Sequence, residues 1–97
     1  MSTTPDALRL LADPLRSRIV ELLAREQLCT CHLADALTAK QPLISYHLKV
    51  LHEAGLIERE PCGRFTYYRL RPEALEAAAA GLTALADEAR RAVKRAC

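Results

Sequence analysis

At 97 residues, with 51% hydrophobic and 27% charged side chains, the chain has the composition of one globular domain with a single core, which excludes wholesale disorder. No apolar run approaches the ~20 residues of a membrane span, and the polar stretch from Met1 to Asp6 carries no signal-peptide core, so a cytoplasmic protein with reduced thiols and no membrane partner is expected. The net charge of +2 is unevenly spread: residues 40–71 hold six basic against three acidic side chains, an electrostatic footprint suited to a polyanion.

Residues 5–12 are expected as a short helix stopping at Asp13-Pro14, where Asp13 caps a second helix and Pro14 takes its first position. That helix runs to about Arg25 and buries Leu15, Ile19, Leu22 and Leu23. A third, short helix is expected from Cys31 to Leu37, burying Leu33 and Leu37. A polar break over Thr38–Lys40 leads to a fourth helix from Gln41 to about Ala54, with Gly55 as its left-handed cap. A short helix, a three-residue break and a longer helix form a helix-turn-helix.

Leu56–Glu60 and Phe65–Leu70 alternate like strands, and Pro61-Cys62-Gly63-Arg64 supplies the turn, giving a hairpin wing over residues 56–70. Pro72 opens a long helix to about residue 96, ~36 Å if it holds ~24 residues. Its stripe of Leu75, Leu82, Leu85, Ala89 and Val93 reads as a close-packed dimer seam. The expected fold is therefore one winged helix-turn-helix domain over residues 1–97. It is mainly α with a small β-hairpin, and it dimerises through the terminal helices.

Around the fourth helix Ile44, Leu48 and Leu51 share the core side, while Pro42, Tyr46, Lys49 and Glu53 lie opposite and Ser45 flanks them. Recognition helices present exposed N-terminal residues to base edges, so Gln41, Ser45 and Tyr46 are the base-reading candidates. Lys49 suits phosphate or guanine, and Arg64 at the wing tip suits backbone phosphate. His47 is expected to be packed and hydrogen-bonded, and His52 to be solvated. No triad, phosphate loop or catalytic metal pattern points to an enzyme or to a catalytic cofactor.

Chemistry concentrates at Cys29-Thr30-Cys31. Residues i and i+2 point the same way in extended chain but lie roughly 200° apart around a helix. With Cys29 in the extended approach and Cys31 at the helix start, both sulfurs converge on one soft ion. The competing reading is a pair of small buried hydrophobes. His32 is expected to face solvent, with a place in a cadmium or zinc site as the alternative.

The chain resembles the ArsR/SmtB family of metal-sensing winged-helix repressors. The likeness rests on Leu11-Ala12-Asp13-Pro14-Leu15-Arg16, on Leu28-Cys29-Thr30-Cys31-His32-Leu33-Ala34, on Gln41-Pro42-Leu43-Ile44-Ser45-Tyr46-His47-Leu48-Lys49-Val50-Leu51 with Glu53-Ala54-Gly55-Leu56, and on Gly63-Arg64-Phe65-Thr66-Tyr67-Tyr68-Arg69-Leu70. The resemblance implies a homodimer that binds double-stranded operator DNA and releases it on binding an ion. The cysteine motif is similar to the branch sensing trivalent arsenic and antimony, with cadmium and lead as alternatives. Two positions depart from that pattern. Ala34 stands where a third cysteine is common, and Thr30 replaces an apolar residue. The third ligand is then expected from Cys97 on the terminal tail, with Cys62, solvent or a small thiol as alternatives. A thiol redox regulator working through the same pair is the reading from another class.

Overall fold

The computed structural model describes residues 4–96. Five helices and three strands follow in the order α1 (Thr4–Leu11), α2 (Pro14–Leu23), β1 (Leu28–Cys29), α3 (Thr30–Leu37), α4 (Gln41–Glu53), β2 (Ile57–Cys62), β3 (Phe65–Leu70) and α5 (Pro72–Arg91). This is a winged helix-turn-helix, mainly α with a small antiparallel sheet. Among the described residues no helix is long and apolar enough to cross a membrane.

The local signals act as their chemistry dictates. The Asp13 carboxylate accepts from the Arg16 backbone N–H at 3.0 Å, capping α2 with Pro14 in its first turn. Gly55 takes φ +80° after α4, where a Cβ would be strained. Thr38 closes α3 in the left-handed region at φ 51°, and the chain then turns into α4.

The sheet is larger than the hairpin alone. The order is β1-β3-β2, with Leu28 opposite Tyr68 and Cys29 opposite Tyr67. A two-residue strand is too short to show alternation, so β1 leaves no periodic signal in the sequence. The turn is also tighter than expected. Pro61 and Cys62 belong to β2, opposite Thr66 and Phe65, and Gly63-Arg64 alone makes the reversal. Gly63 at φ +62° permits a two-residue loop, and Pro61 is tolerated because β2 is an edge strand.

The core joins Ile19 and Leu23 of α2, Leu33 and Ala34 of α3, Ile44, Leu48 and Leu51 of α4, and Leu56 and Ile57 at the entry to the wing. Helix α5 is the exception. None of its residues is buried, and only Ala74 and Leu75 touch the core. It also ends earlier than expected, at Arg91, because Ala92 turns to ψ 137° and leaves helical geometry. Val93, expected on the seam, is 90% exposed beyond the helix end.

One polar cluster locks the helices together. The Arg16 guanidinium donates to the Leu10 carbonyl at 3.3 Å and, through Nε, to His47 Nδ1 at 3.2 Å, joining α1, α2 and α4. His47 is buried, as expected, and its Nε2 lies 4.0 Å from Asp13 Oδ1. Burial pushes its pKa below the ordinary 6.5, the Arg16 charge acts in the same direction, and Asp13 opposes them. A neutral ring is required to accept from Arg16. The unfolded chain therefore takes up the proton first as pH falls, and His47 contributes stability that is present above pH 6.5 and lost below it. The urea midpoint of the wild type should accordingly fall between pH 7 and pH 5 more steeply than that of His47→Gln. Parallel curves for the two proteins would refute this role.

Candidate metal centre and nucleic-acid interface

Cys29 is simultaneously the last residue of β1 and the N-cap of α3, with φ −91° and ψ 170°. Its side chain is 2% exposed. Because α3 starts at Thr30, Cys31 lies in the first turn, and the junction aims both sulfurs at one point. Their Cα atoms are 5.5 Å apart and the sulfurs are joined as a disulfide. The two sulfurs thus meet at the strand-to-helix junction. An i, i+2 pair that straddles a strand-to-helix switch has its sulfurs within bonding range.

His32 brings a further donor atom close to the pair. His32 Nδ1 lies 3.3 Å from Cys29 Sγ, and the donor atoms of Cys29, Cys31 and His32 all fall within 4.8 Å of one another. The Cys29 backbone N–H also donates to Nδ1 at 3.3 Å. Cys29 and His32 thus form a capping box in the places usually taken by Ser or Thr and by Glu or Gln. The ring meets Tyr67 of β3 edge-on, centroids 5.9 Å apart. Starting the helix at Cys31 hides this arrangement. With Cys29 as N-cap, residue 32 is N3, the position that reaches back.

Of the other candidates, Cys62 is exposed on the wing, and Cys97 lies outside the described residues. Ala34 is buried in the core and carries no donor atom that could join the pair.

On α4 the expected division of faces is present. Ile44, Leu48 and Leu51 are buried, while Gln41, Ser45, Tyr46 and Lys49 are exposed, Tyr46 by 57%. Arg64 is exposed at the wing tip. The basic segment is less free than its charge suggests. Arg69 pairs with Glu58 at 2.6 Å, and Arg71 with Glu73 at 2.9 Å while also donating to the Gly55 carbonyl. These two arginines brace the wing base. Lys40, Lys49, Arg59 and Arg64 make no ion pair among the described residues and carry the outward charge. Sequence alone does not single out Arg59. From β2 it lines a shallow groove with Ser45 and Lys49, beside Tyr68. Only the strand's alternation between Glu58 and Glu60 hinted at it.

Residues 13–59 match the family model for bacterial regulatory proteins of the arsR family. A solved structure described as a possible transcriptional regulator for arsenical resistance is 36% identical. The match covers 90% of this chain and 96% of that one, with TM-score 0.74. The chain belongs to the arsR family. Among curated arsR relatives, the arsenic resistance transcriptional regulator ArsR1 of Pseudomonas putida is 47% identical over 72 residues, 73% of this chain and 56% of that protein. The chain thus spans about half the length of the curated relatives it matches. A homodimeric winged helix-turn-helix DNA-binding domain from Mycobacterium bovis, described as a possible ArsR-family regulator, is 30% identical with TM-score 0.66. That match covers 82% of this chain and 74% of the other.

The site geometry makes a prediction about reactivity. Before reduction, Cys62 should alkylate while Cys29 and Cys31 do not. After reduction, Cys31 should label ahead of the buried Cys29, as read by peptide mass spectrometry. Equal labelling of all three without reductant would contradict the pairing.

Proposed function

We propose that this chain is a repressor that binds operator DNA as a homodimer and releases it when trivalent arsenic or antimony bonds to the reduced Cys29–Cys31 pair. The observation carrying this reading is the convergence of the two sulfurs at the N-cap of α3, the helix that leads directly into α4. Soft thiolates select thiophilic ions, and the first turn of a helix favours the thiolate. The arsenic-related relatives favour arsenic or antimony over cadmium or lead. Cys97 remains a candidate sulfur from the terminus.

In this reading Gln41, Ser45 and Tyr46 read base edges, while Lys49, Arg59 and Arg64 meet phosphate. Pairing of two chains is supported by the homodimeric M. bovis relative and by Leu8, Leu82 and Leu85, which one chain leaves about half exposed on α1 and α5. Opening the pair to hold an ion moves the start of α3 against α4. A coupling of ~1–3 kcal/mol lowers operator affinity about 5–150-fold.

The disulfide favours a second reading, a thiol redox regulator. There a peroxide takes two electrons from the two thiols, giving the disulfide and two waters.

Gel shifts with the reduced protein separate these readings. Arsenite should release operator DNA from the wild type and not from Cys29→Ser. Release by peroxide without release by arsenite would replace the first reading with the second. For the DNA face, Gln41→Ala combined with Tyr46→Ala should weaken specific binding by roughly 1–3 kcal/mol per lost base contact. Unchanged affinity would remove α4's N-terminal turn from base reading.

A further inference from the structure

Resting on the operator-binding reading of α4, we infer that His47 is a proton switch. Protonation of its ring trades the Arg16 guanidinium for the Asp13 carboxylate, turns α4 and releases operator DNA, without any ion at the cysteine pair. His47 is the one buried polar residue among the described residues, at 5% exposure. It lies on the same helix as Gln41, Ser45, Tyr46 and Lys49. An apolar side chain in its place would hold α4 by burial alone, with no dependence on pH. A buried imidazole makes the seating of this helix conditional on one proton.

The two ring nitrogens face groups of opposite charge. Nδ1 accepts from Arg16 Nε at 3.2 Å, and Nε2 lies 4.0 Å from Asp13 Oδ1. Both partners belong to the start of α2, where Asp13 is the N-cap. They are the charged groups that act on the ring, and α1 and α3 contribute none. Helix α1 enters only through the Leu10 carbonyl, which accepts from Arg16. On α4 itself the neighbour is Tyr46, whose ring meets His47 edge-on with centroids 5.2 Å apart.

Neutral imidazole suits this setting. With its hydrogen on Nε2, Nδ1 is free to accept. A second proton can go only on Nδ1, where it points at a guanidinium that has donors alone and does not deprotonate. The Arg16 bond is then lost, and the charged ring is drawn through Nε2 toward Asp13. That carboxylate also accepts the Arg16 backbone N–H at 3.0 Å, so pulling it to the ring loosens the cap of α2. The two clamps act on different nitrogens. Exchanging them therefore rotates α4 on its apolar face and shifts Tyr46, which rests against the ring. Burial and the Arg16 charge both resist the proton, which sets the switch below pH 6.5. Operator affinity is full while the ring is neutral and falls as the ring protonates. By linkage, bound DNA makes the ring still harder to protonate.

The test uses the reduced full-length protein without added metal, and a duplex that the protein itself selects from random-sequence DNA at pH 7.5. Affinity is read by fluorescence anisotropy from pH 7.5 to pH 5.5 at fixed ionic strength, for wild type and His47→Asn. Far-UV circular dichroism at each pH restricts the comparison to folded protein. Asparagine places an acceptor where Nδ1 stands and takes up no proton. His32 and His52 are common to both proteins, so their contribution cancels in the ratio of affinities. Relative to His47→Asn, the wild type should lose affinity by up to about tenfold per pH unit below the pKa of the ring. In wild type, 15N-histidine spectra should show His47 titrating at lower pH with the duplex than without it, a readout that needs no variant. Parallel affinity profiles, a ring still neutral at pH 5.5, or a titration that the duplex leaves in place would each overturn the switch. If no duplex is selected at pH 7.5, the operator-binding reading itself falls.

Discussion

The structure depends on what happens to the backbone at Cys29. This residue ends a strand and begins a helix, with its side chain buried and its N–H directed to His32. Extended geometry on one side and helical geometry on the other bring side chains 29, 31 and 32 to one point. Neither a continuous strand nor a continuous helix could do so. The same residue is paired with Tyr67 in the middle strand of the sheet. Chemistry at the sulfurs is therefore never far from the wing or from α3, the helix that precedes α4.

A second, quieter constraint holds α4 in place. Helix α4 is fixed through three apolar residues that reach the core and through His47, which meets the guanidinium of Arg16. The apolar contacts are non-directional and set how deeply the helix sits. The polar contact is directional and sets its rotation. Arg16 also reaches the Leu10 carbonyl, so α1 and α4 share one anchor although neither follows the other in the chain. A displacement of α3 would be felt by α4 against this fixed point.

Much of this was legible in the residues. The Asp13-Pro14 cap, the buried face of α4 and Gly55 at its end follow from short-range rules, because each depends on neighbours within one or two turns. The convergence of Cys29 and Cys31 followed from their spacing once an extended-to-helical switch was assumed. What stayed hidden depends on distant partners or on one residue of register. Strand β1 exists because β3 lies beside it. His32 joins the cysteines because α3 starts at Thr30 and not one residue later. The ion pairs of Arg69 and Arg71 with Glu58 depend on the hairpin register, which the sequence charge alone does not give.

The thin attachment of α5 has a bearing on how stability is distributed along the chain. A twenty-residue helix with no buried side chain is attached through its first half, where Ala74 and Leu75 touch the core and Ala77 and Ala78 line a cavity with Ala7 and Leu10 of α1. Its distal amides then open by local fraying, at a free energy well below that of global unfolding, while those of α4 are tied to the whole core. Covering Leu82 and Leu85 would convert the frayed half into part of the cooperative unit. In amide exchange, α5 would then slow with rising protein concentration while the rest of the molecule changed little.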